Sequence, residues 1–279
     1  MEVLETVDQM RAFTARSGPI AFVPTMGFLH AGHTQLMQAA RAHAPVVVAS
    51  IFVNPTQFGP NEDFDRYPRD RDGDLRKCAA AGCDAVFLPP VQVMYPPGHR
   101  TKVSVSGLTG PLCGASRPGH FDGVTTVVLK LLNIVGCRVA VFGEKDFQQL
   151  AVIRRMCRDL DMPVEVVGHP IVREPDGLAL SSRNVYLSPE DRLGALALSR
   201  GLAAAHEAFD AGERDPRRLE AIATAGLEAT PNARIDYVEV RDADDLEAVS
   251  APIRRPVVLA LAVKFGATRL IDNRVLDPR

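Results

Sequence analysis

Residues 46–53 read Val46-Val47-Val48-Ala49-Ser50-Ile51-Phe52-Val53, and the polar turn Asn54-Pro55-Thr56-Gln57 follows at once. An apolar run without alternation is what a strand carries when helices cover both faces of a parallel sheet. Upstream, residues 19–25 (PIAFVPT) form a second short apolar run that ends in a Pro-Thr-Met-Gly turn. Between the two, residues 31–43 place Leu36, Met37 and Ala40 at helical spacing. Downstream, the pattern predicts a helix over 70–82, a strand over 85–88, a helix over 123–135 and a strand over 139–142. A helix capped by Asp146 then runs to about Asp161, and a strand follows over 164–167. This alternation predicts an α/β protein with a doubly wound parallel sheet, whose ligands bind at the carboxyl ends of the strands near the switch point. Val103, Val105 and Leu108 alternate with polar residues and predict a more exposed strand, followed by a Gly/Pro-rich loop over 107–120.

The character changes after Arg173-Glu174-Pro175-Asp176-Gly177. Two Ala-rich helices are expected over 189–211 and 215–229, then strands over 235–240, 257–263 and 269–271. That is a smaller C-terminal α+β domain. The expected division is 1–174 and 175–279, with the boundary inside 170–188 and the second domain closing over the site.

Composition narrows the function. The 279 residues carry a formal net charge of -2, with 46% hydrophobic and 24% charged residues, so no basic surface argues for nucleic acid or a membrane. No apolar run reaches the ~20 residues of a membrane span. The start, Met1-Glu2-Val3-Leu4-Glu5, is acidic where a signal peptide is basic. Cys78, Cys83, Cys113, Cys137 and Cys157 form no C-x-x-C pair. Reduced, partly buried thiols and a cytoplasmic location are expected.

Four segments carry chemistry. In Pro24-Thr25-Met26-Gly27-Phe28-Leu29-His30-Ala31-Gly32-His33, two histidines lie three apart where a strand turns into a helix. The helix N-terminus suits phosphate, and two imidazoles there can donate to phosphoryl oxygens. Taken alone, H-x-x-H fits a pair of capping or surface histidines equally well, and no third and fourth ligand supports zinc. Asn54-Pro55-Thr56-Gln57 places two amides at a strand end, suited to a hydroxyl or carboxylate ligand, or else forms an ordinary turn. In Gly143-Glu144-Lys145-Asp146-Phe147-Gln148-Gln149, Lys145 can reach a phosphate and Gln149 lies about one helical turn further on. Ser181-Ser182-Arg183-Asn184 offers two hydroxyls and a guanidinium, a compact phosphate clamp or a polar linker.

Together with FVNPTQFGPNEDFDRYPRD, GHFDGVTTVVLKLLNIV and VREPDGLALSSRN, these segments resemble the pantothenate synthetases, the pantoate–β-alanine ligase family, over most of residues 20–190. The C-terminal part resembles it mainly in the stretch ending RLIDN. The resemblance implies a Rossmann-like fold of the nucleotidyltransferase superfamily. His30 and His33 match its HIGH-type signature, and Ser181-Ser182-Arg183 takes the place of the mobile KMSKS-type signature. It implies formation of pantoyl-adenylate from ATP and pantoate, then transfer to β-alanine with release of AMP. It also implies Mg²⁺ and a homodimer.

Carried over by position, His30, His33, Lys145, Ser182 and Arg183 contact the phosphates, with Ser181 beside them. Gln57 and Gln149 hold pantoate, and Pro24 and Met26 line its pocket. Pro24, Thr25, Met26, Gly27, Gly143, Glu144, Asp146, Val172 and Leu180 flank the nucleotide. Asn54 and Tyr67 lie near the triphosphate or the β-alanine side, Arg117 and His120 fall in a matching loop, and Asp74 matches a metal contact. The chain departs from the pattern at Ala31, Thr56 and Leu180, where Glu, a larger apolar residue and Met are usual. A carboxylate meeting an anionic triphosphate needs positive and hydrogen-bonding groups rather than a covalent nucleophile, and neither G-x-S-x-G nor a Cys–His pair is evident. The rival readings are a simple nucleotidyltransferase and a non-catalytic nucleotide sensor.

Overall fold

The computed structural model describes residues 1–60, 62 and 64–279; Asn61 and Asp63, in the motif after the 46–53 strand, lie outside them. Its contacts divide the chain into two units. The first comprises 1–105, 117–144 and 152–170, and the second 106–116, 145–151 and 171–279. Two short segments thus join the C-terminal unit from inside the first half, which no single boundary along the chain expresses.

The elements run β1 (Glu2–Leu4), α1 (Val7–Arg16), β2 (Ile20–Thr25), α2 (Ala31–Ala40), β3 (Val46–Ile51), α3 (Arg71–Ala80), β4 (Ala85–Phe87), α4 (Val91–Met94), α5 (Cys113–Ser116), α6 (His120–Val135), β5 (Val139–Gly143), α7 (Phe147–Asp159) and β6 (Glu165–His169). Among the described residues, six strands form one parallel sheet in the order β1-β4-β3-β2-β5-β6. The chain winds outward through β2, β3 and β4, then returns past β2 to β5 and β6, so the switch point lies between β2 and β5. Val47, Ala49 and Ile51 pack with Met37, Ala40, Cys78 and Val86 on one face, as the uninterrupted apolar run requires. β1 and α1 carry no strong sequence signal. α1 is set by a capping box in which Thr6 Oγ1 accepts the Gln9 N–H (3.2 Å) and Gln9 Oε1 accepts the Thr6 N–H (3.0 Å).

The second unit continues with α8 (Pro189–Gly194), α9 (Leu196–Asp210), α10 (Pro216–Glu228), β7 (Ala233–Asp242), β8 (Val257–Phe265) and β9 (Thr268–Leu276). The three strands form an antiparallel sheet in the order β7-β8-β9. Leu198, Leu202 and Phe209 of α9, Leu219, Ala223 and Leu227 of α10, and Leu259, Leu261 and Val263 of β8 build its core.

Several expectations are corrected. Residues 103–108 form no strand: the Val103 N–H donates to Thr126 Oγ1 (2.9 Å) and its carbonyl accepts from Thr125 Oγ1 (2.6 Å), so α6 hydroxyls take the place of a neighbouring strand. The helix expected over 189–211 is broken between α8 and α9, where Ala195 closes one helix and opens the next. Asp146 is not a lone cap, because α7 is entered through a 3₁₀ turn, Glu144–Asp146. The last three strands are all longer than expected, since sheet pairing extends them beyond their apolar stretches.

Candidate active site

The histidine turn leaves the carboxyl end of β2. His30 is the N-cap of α2 and accepts the Gly32 N–H at Nδ1 (3.2 Å). His33 Nδ1 accepts the His30 N–H (3.2 Å), and the ring centroids lie 4.0 Å apart. The two histidines therefore cap the helix through Nδ1. With Nδ1 accepting a backbone N–H, each neutral ring carries its proton on Nε2, a donor at a helix N-terminus. Pro24, Thr25 and Met26 are half-buried at the same strand end. Thr25 Oγ1 ties the turn to β3 by donating to the Ser50 carbonyl (2.7 Å), and it accepts the Gly27 N–H (3.2 Å).

Asp74 underlies this turn. Its side chain is 2% exposed, and its two oxygens accept the Phe28 and Leu29 N–H groups, each at 2.7 Å. Burial pushes its carboxyl above the ordinary range, against those two bonds and Lys77. The turn reaches this carboxylate because Gly27 has φ +83°, and a Cβ there would sit 2.9 Å from Asp74 Oδ2 and from Ile51 Cγ2. Both Asp74 oxygens thus face backbone donors of the turn. Among the described residues, no group of three or more His, Cys, Asp or Glu is placed to hold a metal.

After β3, Asn54 caps the 3₁₀ turn Pro55–Gln57. Asn54 is 1% exposed and fully engaged. Its Oδ1 accepts from Thr56 Oγ1 (2.9 Å) and Tyr95 Oη (2.8 Å), while Nδ2 donates to Gln57 Oε1 and the Gly123 carbonyl, both at 3.1 Å. Within the protein Asn54 acts as an orienting group. It fixes Gln57 with Oε1 turned back and Nε2 directed toward Met26 Sδ (3.0 Å), so Gln57 presents a donor, as an acid or hydroxyl ligand needs. α6 comes this close because its Gly123 has no side chain; a Cβ would lie 2.4 Å from the Thr56 carbonyl oxygen. Tyr67 is buried, its ring stacked edge-on against Phe58 at 5.9 Å.

Arg117 and His120 brace the same turn. Arg117 Nε and Nη2 each donate to a different Glu62 oxygen at 2.6 Å, and His120 Nδ1 lies 2.8 Å from the Gln57 carbonyl. Burial raises the Glu62 carboxyl, but the Arg117 hydrogen bond and charge outweigh it and hold it below the ordinary range. Glu62, Tyr95 and Gly123 are not among the residues that the sequence singles out. Only Gly123 leaves a signal, as a glycine inside a helix.

The second unit carries the other phosphate candidates. Lys145 sits in the 3₁₀ turn two residues beyond β5 and is half-buried. Its carbonyl accepts from Asn273 Nδ2 (2.9 Å). The adjacent glutamines divide their work. Gln148 is buried and holds the 108–113 loop through Cys113 N (3.0 Å), Leu108 O (2.9 Å) and Pro111 O (2.7 Å), whereas Gln149 is half-buried and outside that network. Glu144 and Asp146 flank Lys145 in the turn. Gly143 ends β5 beside His169; a Cβ there would meet only Leu36 at 3.9 Å, so no glycine is required.

Val172 and Leu180 face each other across a hairpin, the Leu180 N–H donating to the Val172 carbonyl (2.9 Å). Ser181 then caps a 3₁₀ turn, Ser182–Tyr186, its Oγ accepting the Arg183 N–H (3.3 Å). Ser181, Ser182 and Arg183 are all half-buried.

The family described as Pantoate-beta-alanine ligase matches residues 2–275. A protein of Geobacter sulfurreducens named pantothenate synthetase is 57% identical over 280 residues, covering 99% of both chains. Its namesake from Pelotomaculum thermopropionicum is 55% identical with the same coverage. Among solved structures, the pantothenate synthetase of Thermus thermophilus superposes with a TM-score of 0.94 at 49% identity, over 98% of this chain and 99% of that one. The pantoate-beta-alanine ligase of Francisella tularensis, complexed with beta-gamma ATP and beta-alanine, superposes with a TM-score of 0.81 at 31% identity, over 100% of both chains.

Proposed function

The chain belongs to the pantoate–β-alanine ligase family, a family of enzymes, and on that premise we propose that it joins pantoate to β-alanine through an enzyme-bound pantoyl-adenylate. A pantoate carboxylate oxygen attacks the α-phosphorus of ATP and pyrophosphate leaves. The β-alanine nitrogen, as the free amine, then attacks the acyl carbon, loses a proton and displaces AMP. The Francisella relative, complexed with beta-gamma ATP and beta-alanine, supports two of the three substrates.

The observation that carries the reading is the state of the two histidines. Each Nδ1 is committed to a backbone N–H, which leaves Nε2–H as the donor at the N-terminus of α2. In this reading His30 and His33 stabilise charge on the phosphates. Lys145 neutralises the α-phosphate and the departing pyrophosphate, and Ser181, Ser182 and Arg183 hold the remaining oxygens. Pro24, Thr25, Met26, Gly27, Gly143, Glu144, Asp146, Val172 and Leu180 form the nucleotide's surroundings. Gln57 and Gln149 bind pantoate through their amides, beside Met26 and Tyr67. A Mg²⁺ arriving with ATP would offset charge on the phosphates, and Asp74 is the carboxylate proposed for contact with it.

The test is isotope exchange between pyrophosphate and ATP with pantoate present and β-alanine absent. Exchange that requires the acid alone is expected. Exchange without acid would point to a simple nucleotidyltransferase, and nucleotide binding without exchange to a sensor. Lys145→Ala should slow exchange by about 10²–10³-fold with the fold intact, as loss of one charge-stabilising group does elsewhere; wild-type exchange in that variant would remove Lys145 from the mechanism. Gln149→Ala should chiefly raise the pantoate KM.

Two further points belong to the reading. All five cysteines are free, and no helix among the described residues is long and apolar enough to cross a membrane; these support a reducing, cytoplasmic setting. A homodimer is proposed from the family resemblance and is checked by sedimentation.

A further inference from the structure

We propose that Asp272 and Asn273, neighbours on β9, are positioning residues for adenylation that hold the Lys145 turn and the Ser181–Arg183 turn in register within the second unit. This rests on the phosphate roles given above for Lys145 and Arg183. Asn273 is 5% exposed and donates through Nδ2 to the Lys145 carbonyl (2.9 Å). Asp272 is 2% exposed, and its carboxylate grips Arg173 in a two-point fork: Nη1 to Oδ2 at 2.6 Å and Nη2 to Oδ1 at 2.9 Å. Asp272 Oδ1 also accepts the Asn273 N–H (2.8 Å), which joins the two grips into one network.

Arg173 carries the connection onward. It lies on the hairpin closed by the Arg173↔Ala179 bridge, and its Nη1 donates to the Gly177 carbonyl at the hairpin's tip (3.0 Å). Ser181 follows that hairpin directly, and Asn184 ties the 3₁₀ turn back to it by donating to the Ala179 carbonyl (3.1 Å) and to Glu174 Oε1 (3.0 Å). The middle of one strand therefore holds two segments 36 positions apart, each carrying cationic or hydroxyl groups proposed for the same chemistry. The division of the chain agrees independently, since 145–151 groups with 171–279 rather than with the β5 strand that precedes it. The Asp272 carboxylate accepts three bonds, two from Arg173 and one from its own neighbour. A planar fork on a buried carboxylate fixes direction as well as distance, which a single ammonium does not. Small displacements of a charge-stabilising group are costly to rate.

The experiment is pantoate-dependent pyrophosphate–ATP exchange on the full-length chain, read as a double-mutant cycle. Asn273→Ala should lower the exchange rate on the order of 10- to 100-fold, with melting temperature and pantoate KM near wild type. In a Lys145→Ala background the same replacement should cost less than about threefold, because the group it positions is gone. Arg173→Lys, which keeps the charge and loses the fork, should behave in the same way toward Arg183→Ala, and it carries the test if Asn273→Ala is insoluble. Additive losses in both cycles, or wild-type exchange in Asn273→Ala, would overturn the brace while leaving the role of Lys145 standing. Wild-type exchange in Lys145→Ala would instead overturn that role and the brace built on it.

Discussion

The turn after β2 and the turn after β5 do similar work in different ways. The histidine turn is organised largely from within: His30 and His33 cap their own helix, and Thr25 accepts the Gly27 N–H two residues on. Asp74, 44 positions beyond His30, and the Ser50 carbonyl that accepts from Thr25 are imported. The lysine turn is a three-residue 3₁₀ piece anchored by Asn273, 128 positions away. A catalytic segment can be fixed by local hydrogen bonds or by a distant strand, and the two solutions fail differently when altered.

The largest expected effect is at Asp74, the imported carboxylate of the histidine turn. Asp74→Ala leaves the Phe28 and Leu29 N–H groups without their acceptor, at about 1–3 kcal/mol per donor. Urea unfolding should show that loss, and exchange activity should fall with it. Full stability and activity in Asp74→Ala would mean the turn is self-sufficient and the contrast sharper still. Next is Gly123→Ala, which drives a Cβ to 2.4 Å from the Thr56 carbonyl oxygen. We expect about 1–3 kcal/mol of destabilisation and a raised pantoate KM, because the Asn54–Gln57 arrangement shifts. An unchanged KM in a destabilised variant would confine Gly123 to packing.

The third prediction uses pH. The folded-state Glu62 carboxyl lies below its ordinary 4.5, so its pairing with Arg117 contributes stability above about pH 4.5 and loses it as pH falls through the depressed value. Wild type should exceed Glu62→Gln in unfolding free energy at pH 7, with the gap narrowing toward pH 4. A gap that widened in acid would reverse the assignment. The smallest effect is expected from Thr56→Val, about 0.5–1.5 kcal/mol, because Tyr95 still donates to Asn54 Oδ1. A loss as large as that from Gly123→Ala would show that Thr56, not Tyr95, orients the amide.

The contrast also explains what the sequence could disclose. The run 46–53, the helix over 31–43 and the motifs at 24–33, 54–57, 143–149 and 181–184 were legible because a few neighbouring residues determine their local geometry. The fold class followed from the same periodicities. Asn54 and Asp74 stand out in the sequence but what they hold does not, since an amide or a carboxylate looks alike whether it faces ligand or backbone. Which one it faces depends on groups 45–70 positions away, such as Leu29 for Asp74 and Gly123 for Asn54. The strand expected over 103–108 failed for the same reason: alternation is local, while the hydroxyls of Thr125 and Thr126 that replace its partner are not. Asp272 and Asn273 sit in a stretch that resembles the family, yet nothing nearby announces what they hold.

The β8–β9 hairpin turns on just two residues, Gly266 and Ala267, and its ladder pairs Leu261 with Asp272 and Ala260 with Asn273. Successive side chains on a strand point to opposite sides, so sliding β9 by one step would present Arg274 where Asn273 belongs. A hairpin zipped up out of step would also turn Leu270 and Leu276 out of the core, so it would lose packing together with the Asn273 grip on Lys145. Turnover thus doubles as a proofreading signal for the last strand the chain makes, and lengthening the Gly266-Ala267 connection by one glycine is a simple way to read it.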